Sequence, residues 1–472
     1  MSIAHEPAGP TTASARDLDY RELVDHVRRR FESGRTKSLD WRREQLRALK
    51  RMLKEREADI SEALAADLGK PPLEGYATEI GYSAGSIEHM LKHLDEWTTP
   101  RKVSTPLVTQ PGSSRIYKEP LGVVLIIAPW NYPFQLAVAP LAAALAAGNC
   151  AVVKPSEVAA ETSALLAQLL PQYLDQAAVK VVEGGVPETT ALLEQRFDHI
   201  FYTGNGKVGR IIMAAAAKHL TPVTLELGGK SPCIIDESAN LDIAVKRIAW
   251  GKWTNCGQTC IAPDYVLVHR DRHDAFVRKL SRTVVDFWGD DAQQSKDYGR
   301  IINERHHRRL MKLMECGKVA VGGRADEADR FIAPTVLTGI ELDSPIMQEE
   351  IFGPILPVIA VDDIDAAIRI VNQGDKPLAL YIFTENDASA EKVLQETSSG
   401  GATVNHVVLH YAVHDLPFGG VGESGMGAYH GKYGFDTFTH EKAVLKKGTG
   451  LDPALMYPPY SSFSEKILRK VT

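Results

Sequence analysis

In the stretch GKWTNCGQTC, residues 251–260, two cysteines stand four residues apart with a glycine between them. A thiol in so small and polar a segment can ligate a metal, form half of a redox pair, or act as a nucleophile. Zinc takes four N or S ligands from clustered pairs, and no second Cys/His pair completes a set with Cys256 and Cys260. A CxxxCxxC cluster motif fails at Pro263. The chain holds five cysteines, Cys150, Cys233, Cys256, Cys260 and Cys316, an odd and sparse number for 472 residues that does not read as a disulfide framework. For each of the pair, the residues themselves leave a working nucleophile and a small buried thiol open.

Other segments carry polar groups where neither core nor surface asks for them. PWNYP, 129–133, sets Asn131 between aromatics just after an apolar run, a position where Asn also serves as the N-cap of a helix starting near 134. VVKPSE, 152–157, puts Lys154 at the end of a β-like run. LELGGKSP, 225–232, puts Glu226 between Leu225 and Leu227, ahead of Gly228 and Gly229, which permit close backbone approach. Burial there raises a carboxyl pKa towards neutrality and makes a usable base, whereas pairing with Lys230 would make Glu226 structural. In EEIFGP, 349–354, Glu350 reads equally as a surface carboxylate and Phe352 as packing.

TGNGKVG, 203–209, spaces Gly204, Gly206 and Gly209 as a GxGxxG turn between a strand and a helix. That fingerprint normally opens the first βα turn, and here it falls in the fourth. Val208 also stands where a Walker motif needs Ser or Thr. The turn therefore suits an anionic cofactor at a helix N-terminus without fixing its pose.

Five β-rich apolar runs, 122–129, 150–155, 179–184, 199–203 and 223–227, alternate with helical patterns over 136–147, 160–170, 188–196 and 206–219. Strands apolar throughout and joined by helices predict a doubly wound parallel sheet covered on both faces. Residues 18–98 carry apolar positions at helical spacing with charged opposite faces. Residues 100–120 place two β-like runs around PGSS, a turn signal, and read as a hairpin arm, with EKAVLKKG as a further arm strand. About 230–420 forms a second α/β region, in which LDIAVKRIAWGKWTN is a helix leading into the cysteine stretch.

With 44% hydrophobic and 24% charged residues and a net charge of −6, the chain has no basic face for a nucleic-acid backbone. Its longest apolar runs fall short of the roughly 20 residues of a membrane helix. Neither end shows a secretory signal or membrane anchor, so we expect a soluble, cytoplasmic protein.

Taken in order, PWNYP, VVKPSE, LELGGKSP, GQTC and EEIFGP resemble the aldehyde dehydrogenase superfamily over about residues 20–460. The segment PFGGVGESGMGAYHGKYGFDTFTH, 417–440, resembles its class 3 branch of fatty and aromatic aldehyde dehydrogenases. The resemblance implies an NAD(P)-binding domain over 18–99 and 121–228 and a catalytic domain over 229–420. It further implies arms for oligomerisation at 100–120 and 421–460, between a disordered tail at 1–17 and a C-terminal tail at 461–472. It implies that Cys260 attacks an aldehyde, with Asn131 as oxyanion donor and Glu226 as the base that hydrolyses the thioester, while Cys256 is a neighbouring thiol.

By the same resemblance Trp130, Lys154, Glu157, Gly204, Gly209, Leu227, Glu350 and Phe352 contact the cofactor. NAD is expected from Glu157, with NADP possible. Tyr132, Trp250, His410 and Tyr411, with His406 and His414 nearby, line a tunnel for hydrophobic aldehydes. No metal is implied, and a homodimer through the arms is. Retained Glu226 favours hydrolysis over an acylating, coenzyme A-dependent relative; a semialdehyde-specific dehydrogenase and a non-catalytic binding protein on the same fold are the remaining alternatives.

Overall fold

The structure, a computed structural model, describes residues 19–452 and 454–471. The tail expected at 1–17 lies outside the described residues.

The five apolar runs form a parallel sheet whose strands Val123–Ile127, Cys150–Lys154 and His199–Thr203 are buried along their whole length. Val123–Ile127 lies centrally, with Cys150–Lys154 and Val179–Val181 on one side and His199–Thr203 and Val223–Glu226 on the other. The strand order therefore reverses beside the first strand, where doubly wound sheets open a crevice at the carboxyl ends. Pairing of Ile127 with both Lys154 and Tyr202, and of Thr203 with Glu226, sets these ends level. Asn131, Lys154, Gly204 and Glu226 thus follow from one edge of one sheet. Helix Gln135–Ala147 is apolar all round and wholly buried beneath it, as such a composition requires.

Residues 227–231 carry the chain into a second sheet. Its seven strands lie in the order Lys318–Val321, Thr335–Thr338, Ile355–Val361, Tyr265–His269, Pro232–Ile235, Ala379–Phe383, Gly401–Val404, parallel except for the first. Helix Leu241–Trp253 crosses between two neighbouring strands, and its C-terminal end opens into the cysteine stretch. That places Cys260 opposite the carboxyl edge of the first sheet.

The third sheet is the arm. Gly112–Pro120 pairs antiparallel with Arg101–Val103 on one side and, over nine residue pairs, with Thr439–Lys447 on the other. PGSS is not its turn. Gly112, Ser113 and Ser114 belong to the strand, paired with Lys447, Lys446 and Leu445, and the bend lies earlier, around the short turn Leu107–Thr109. A long cross-strand ladder has overridden a local turn preference. Gly112 serves the bend in another way, because a Cβ there would sit 2.7 Å from the Thr109 carbonyl oxygen.

The arm assigned to 421–460 is also shorter than expected. Gly425–Met426 pairs with Glu226 and Leu225 at the edge of the first sheet, and helix Gly431–Thr437 packs on helix Gln135–Ala147. Gly425 and Gly434 allow these approaches. A Cβ at 425 would meet the Leu225 carbonyl at 2.3 Å, and one at 434 would touch Ala143 at 3.3 Å. Only Thr439–Lys447 leaves the body as an arm strand. Within the expected C-terminal tail, Ser462–Val471 is helical. Among the described residues no helix is long and apolar enough to cross a membrane.

Candidate active site

After helix Leu241–Trp253 the backbone enters a turn that L-residues seldom adopt. Asn255, Cys256 and Gly257 have φ of 53°, 51° and 71°. Left-handed backbone costs a non-glycine residue about 1–2 kcal/mol, so the surroundings must impose it. Glycine is obligatory at 257, where a Cβ would lie 2.3 Å from the Gly353 carbonyl oxygen. Side chains hold the rest. The Asn255 N–H donates to Glu74 Oε1 at 2.8 Å, and Asn255 Nδ2 donates to the Asn131 carbonyl at 2.8 Å. Gln258, fully buried, donates to the carbonyls of Asn255 and Arg300 and accepts from the Ile302 N–H. Cys260 emerges from this frame half-buried at the wall of a cleft. Cys256 points into the core, 1% exposed, against Gly299 and Tyr298.

Asn131 is buried, and its Nδ2 donates to the Gln258 carbonyl at 3.0 Å, which brings the amide against the turn that carries Cys260. It does not cap the following helix. Glu79, reaching in from the N-terminal helical layer, accepts the Phe134 and Gln135 N–H groups at 3.0 and 2.9 Å and takes that role. The other Glu79 oxygen meets Lys70 Nζ at 2.5 Å, in an ion pair with no solvent exposure on either side chain. Lys70 also donates to the Asn131 carbonyl at 3.2 Å and sits 4.1 Å over the Tyr132 ring. Asn131 is therefore clamped through its carbonyl, which leaves its second amide hydrogen available to a ligand oxygen.

Glu226 is 2% exposed, and neither of its carboxyl oxygens has a hydrogen-bond partner. Burial alone pushes its pKa well above the usual carboxylate range. Lys230 does not pair with it. Its ammonium is held by Asp264 and by the carbonyls of Ile346 and Glu349 at 2.7 and 2.9 Å. Glu350 is likewise raised, to about 8, by burial and then by Asp264. Burial, and then the carboxyl groups of Glu350 and Glu226, raise the Cys260 thiol above its usual range. Burial in this site therefore disfavours the charged form of both carboxyl groups and of the thiol.

The wall of the cleft combines Cys260, Glu226, Tyr132, Trp250 and Tyr411 with Leu136, Val408 and Phe418. Tyr132 hydrogen-bonds Thr259 at 2.7 Å. Trp250 stands edge-on to His406 with ring centroids 5.9 Å apart. His410 is not on this wall. Its ring bonds Thr403 at 3.2 Å and packs behind Phe418, because the short turn Leu409–Ala412 rotates it towards Gly401–Val404. His414 stacks instead on His89, 4.8 Å away.

His430 does line the cleft. Burial lowers its pKa to about 3, so the ring is neutral. Neither nitrogen has a hydrogen-bond partner, although the Tyr411 carbonyl lies near. Among the described residues no three His, Cys, Asp or Glu side chains gather to hold a metal.

A second cleft adjoins the first and is lined by Asn205, Gly206, Gly228, Gly229 and Glu350. A Cβ at Gly228 would lie 2.1 Å from the Glu350 carboxylate, so this glycine is what admits Glu350. Asn205 caps helix Gly206–Ala217 by accepting the Val208 N–H at 3.0 Å, while Gly209 rests on Leu227. Lys154, 2% exposed, donates to the Pro155 carbonyl at 2.7 Å and to the exposed Glu157 carboxylate at 3.2 Å. Phe352, at φ 48°, meets Trp130 edge to face at 5.3 Å. A buried cation beside a carboxylate, a glycine cradle at a helix N-terminus and an aromatic pair suit the polar and ring portions of a nicotinamide dinucleotide.

Lys70, Glu74, Glu79, Asn255, Gln258 and His430 were not singled out from the sequence. Five of them act by holding other residues, which leaves no spacing signature. TNCGQ did carry a hint for the turn, since Asn and Gly tolerate left-handed backbone.

The aldehyde dehydrogenase family model matches residues 5–444. Aldehyde dehydrogenase family 3 member A2 of Rattus norvegicus is 55% identical over 440 residues, covering 93% of this chain and 91% of its own. The dimeric NADP-preferring aldehyde dehydrogenase of Canis lupus familiaris is 52% identical, covering 93% and 97%. The substrate-bound AldH of Staphylococcus aureus superposes with a TM-score of 0.93 at 46% identity, covering 96% of this chain and 99% of that one.

Removing one partner of a fully buried ion pair strands the other charge, at about 3–5 kcal/mol. Glu79→Ala should therefore lower unfolding free energy by that order in urea titrations, and Lys50→Ala, whose pair with Glu88 is exposed, should change it by under about 1 kcal/mol.

Proposed function

The chain belongs to the aldehyde dehydrogenase family and is an NAD(P)-dependent oxidoreductase, and from that premise we propose that it converts hydrophobic aldehydes to carboxylic acids with Cys260 as nucleophile, Asn131 as oxyanion donor and Glu226 as the deacylating base. One observation carries the reading: a buried carboxyl group with no partner on either oxygen shares a cleft wall with a half-open thiol.

Once the Cys260 thiol has lost its proton to water at the cleft mouth, the sulfur attacks the carbonyl carbon: a C–S bond forms, the carbonyl π bond breaks, and its electron pair leaves negative charge on the oxygen. The spare amide hydrogen of Asn131 and the Cys260 N–H are the donors for that oxygen, a contribution of about 10²–10³ in rate for each such donor. Bound in the adjoining cleft, an oxidised nicotinamide supplies the hydride acceptor and a positive charge that favours the thiolate. With the substrate carbon oxidised, Cys260 holds a thioester. Glu226 then takes a proton from water, the water oxygen attacks the thioester carbon, and the C–S bond breaks to free the acid and the thiolate. A desolvated carboxylate with unused lone pairs is a far stronger base than one already paired.

The cleft wall of Leu136, Trp250, Val408, Tyr411 and Phe418 favours medium- or long-chain aliphatic and aromatic aldehydes. Glu157 beside Lys154 favours NAD, since its carboxylate repels a 2′-phosphate; a relative at 52% identity is named NADP-preferring, so both cofactors belong in the assay. The arm supports a homodimer. Strand Thr439–Lys447 is mostly exposed and lies at a sheet edge, a template for another chain. We read the compartment as the cytoplasm, because five free cysteines, one of them nucleophilic, suit reducing surroundings.

Cys260→Ser should lower kcat by at least about 10³-fold, and Cys256→Ser should keep most of it; a dead Cys256→Ser with a live Cys260→Ser would reverse the assignment. Glu226→Gln should keep a first-turnover burst of reduced cofactor and then deacylate slowly. Because the folded-state pKa of Glu226 is raised, its base form is gained as pH rises. Wild-type kcat should climb along that limb, the Gln variant should lack it, and acyl-thioester in place of free acid when coenzyme A is supplied would favour an acylating enzyme instead. Light scattering should give twice the chain mass, falling towards one chain mass for Leu445→Asp in the exposed arm strand.

A further inference from the structure

The left-handed turn before Cys260 is held from outside its own segment by Asn131, already part of the site, and, through Gln258, by Arg300 and Ile302. A further hold is Glu74, in the short helix Pro72–Gly75 of the N-terminal layer, whose Oε1 accepts the Asn255 N–H at 2.8 Å. Asn255 begins the run of three positive φ angles, and its side chain in turn reaches Asn131 and Gln258. Glu74 lies outside both clefts and touches no group assigned to the reaction.

We propose that Glu74 is a positioning residue for the nucleophile, its carboxylate holding the Asn255 amide so that the turn 255–257 presents Cys260 to the cleft. The inference rests on Cys260 being the nucleophile. A hydrogen bond from an amide to a carboxylate is about twice as strong as one to a neutral acceptor, so the hold depends on the charge of Glu74. Burial raises its pKa to about 7, opposed by Lys70 and by the Asn255 N–H and assisted by Glu79. The other titratable or charged groups that sense it are Tyr132, Cys256 and Tyr298, with Arg300 facing Cys256. The grip therefore tightens as pH rises through neutrality and slackens below it.

Two variants separate this from a purely structural role. Glu74→Gln keeps a neutral acceptor, and Glu74→Ala keeps none. We expect the Gln variant to match wild type in kcat at pH 5.5 and to fall about 5-fold behind at pH 8.5, with aldehyde KM unchanged. We expect the Ala variant to trail the Gln variant at both pH values. Alkylation of Cys260 by iodoacetamide, read from its peptide by mass spectrometry, should show the same ratios, which reports on the thiol without aldehyde turnover.

Taking ratios to wild type cancels the pH limbs of Glu226 and of the thiol, which all three proteins share. A Gln-to-wild-type ratio constant across pH, or a folded Ala variant as fast as wild type, would overturn the proposal. If the Ala variant does not fold, the Gln ratio decides alone. Retained turnover in Cys260→Ser would instead defeat the underlying reading.

Discussion

Two asparagines, 124 residues apart in the chain, fasten the molecule's two large sheets together. The side chain of Asn255 donates to the backbone of Asn131, and the side chains of both donate to the Gln258 carbonyl. One asparagine follows the central strand of the first sheet, and the other ends a crossover helix of the second. Neither sheet alone brings a thiol, an amide and a carboxyl group together. Lys70 and Glu79 complete the fastening from a third layer, fixing the Asn131 carbonyl and the start of the buried helix at once. Desolvating that pair is costly, but its geometry leaves few lone pairs or protons unused, which is the condition under which buried ions are tolerated.

Electrostatics within the site turn on Glu226, which is withheld both from water and from partners. Lys230, the cation nearest Glu226 in sequence, is diverted to Asp264 and two carbonyls. Glu226, Glu350 and Cys260 are all raised, each chiefly by burial. A pair such as Lys70–Glu79 gives rigidity, while an unpaired carboxyl gives reactivity. The same residue types serve both ends because their surroundings differ.

Much of this was legible in the sequence. Continuous apolar runs between helical patterns specify strands covered on both faces, and the run 199–203 matches its strand residue for residue. The motifs around Asn131, Glu226 and Cys260 sit at strand or helix ends, where local pattern and chemistry coincide. What was not legible depends on distant partners. PGSS looked like a turn because pairing with 445–447 is invisible locally. Residues 421–438 looked like arm because their glycine-dependent contacts with Leu225 and Ala143 cannot be seen along the chain. His410 looked like a tunnel residue beside Tyr411, yet adjacent residues in a short turn face different ways. Glu74 and Glu79 looked like helix-surface charge, since nothing in their spacing tells a solvated carboxylate from a buried one.

The distal cleft wall, by contrast, is drawn largely from 408–430, through Val408, Tyr411, Phe418, Tyr429 and His430. Among the described residues no hydrogen bond joins that segment to the turn 254–260. That segment is tied to the first sheet at Gly425, opposite Glu226, and not to the cysteine turn, so the shape of the cleft can drift over generations by substitution around Val408, Tyr411 and Phe418 while the Cys260 sulfur stays where the asparagines hold it.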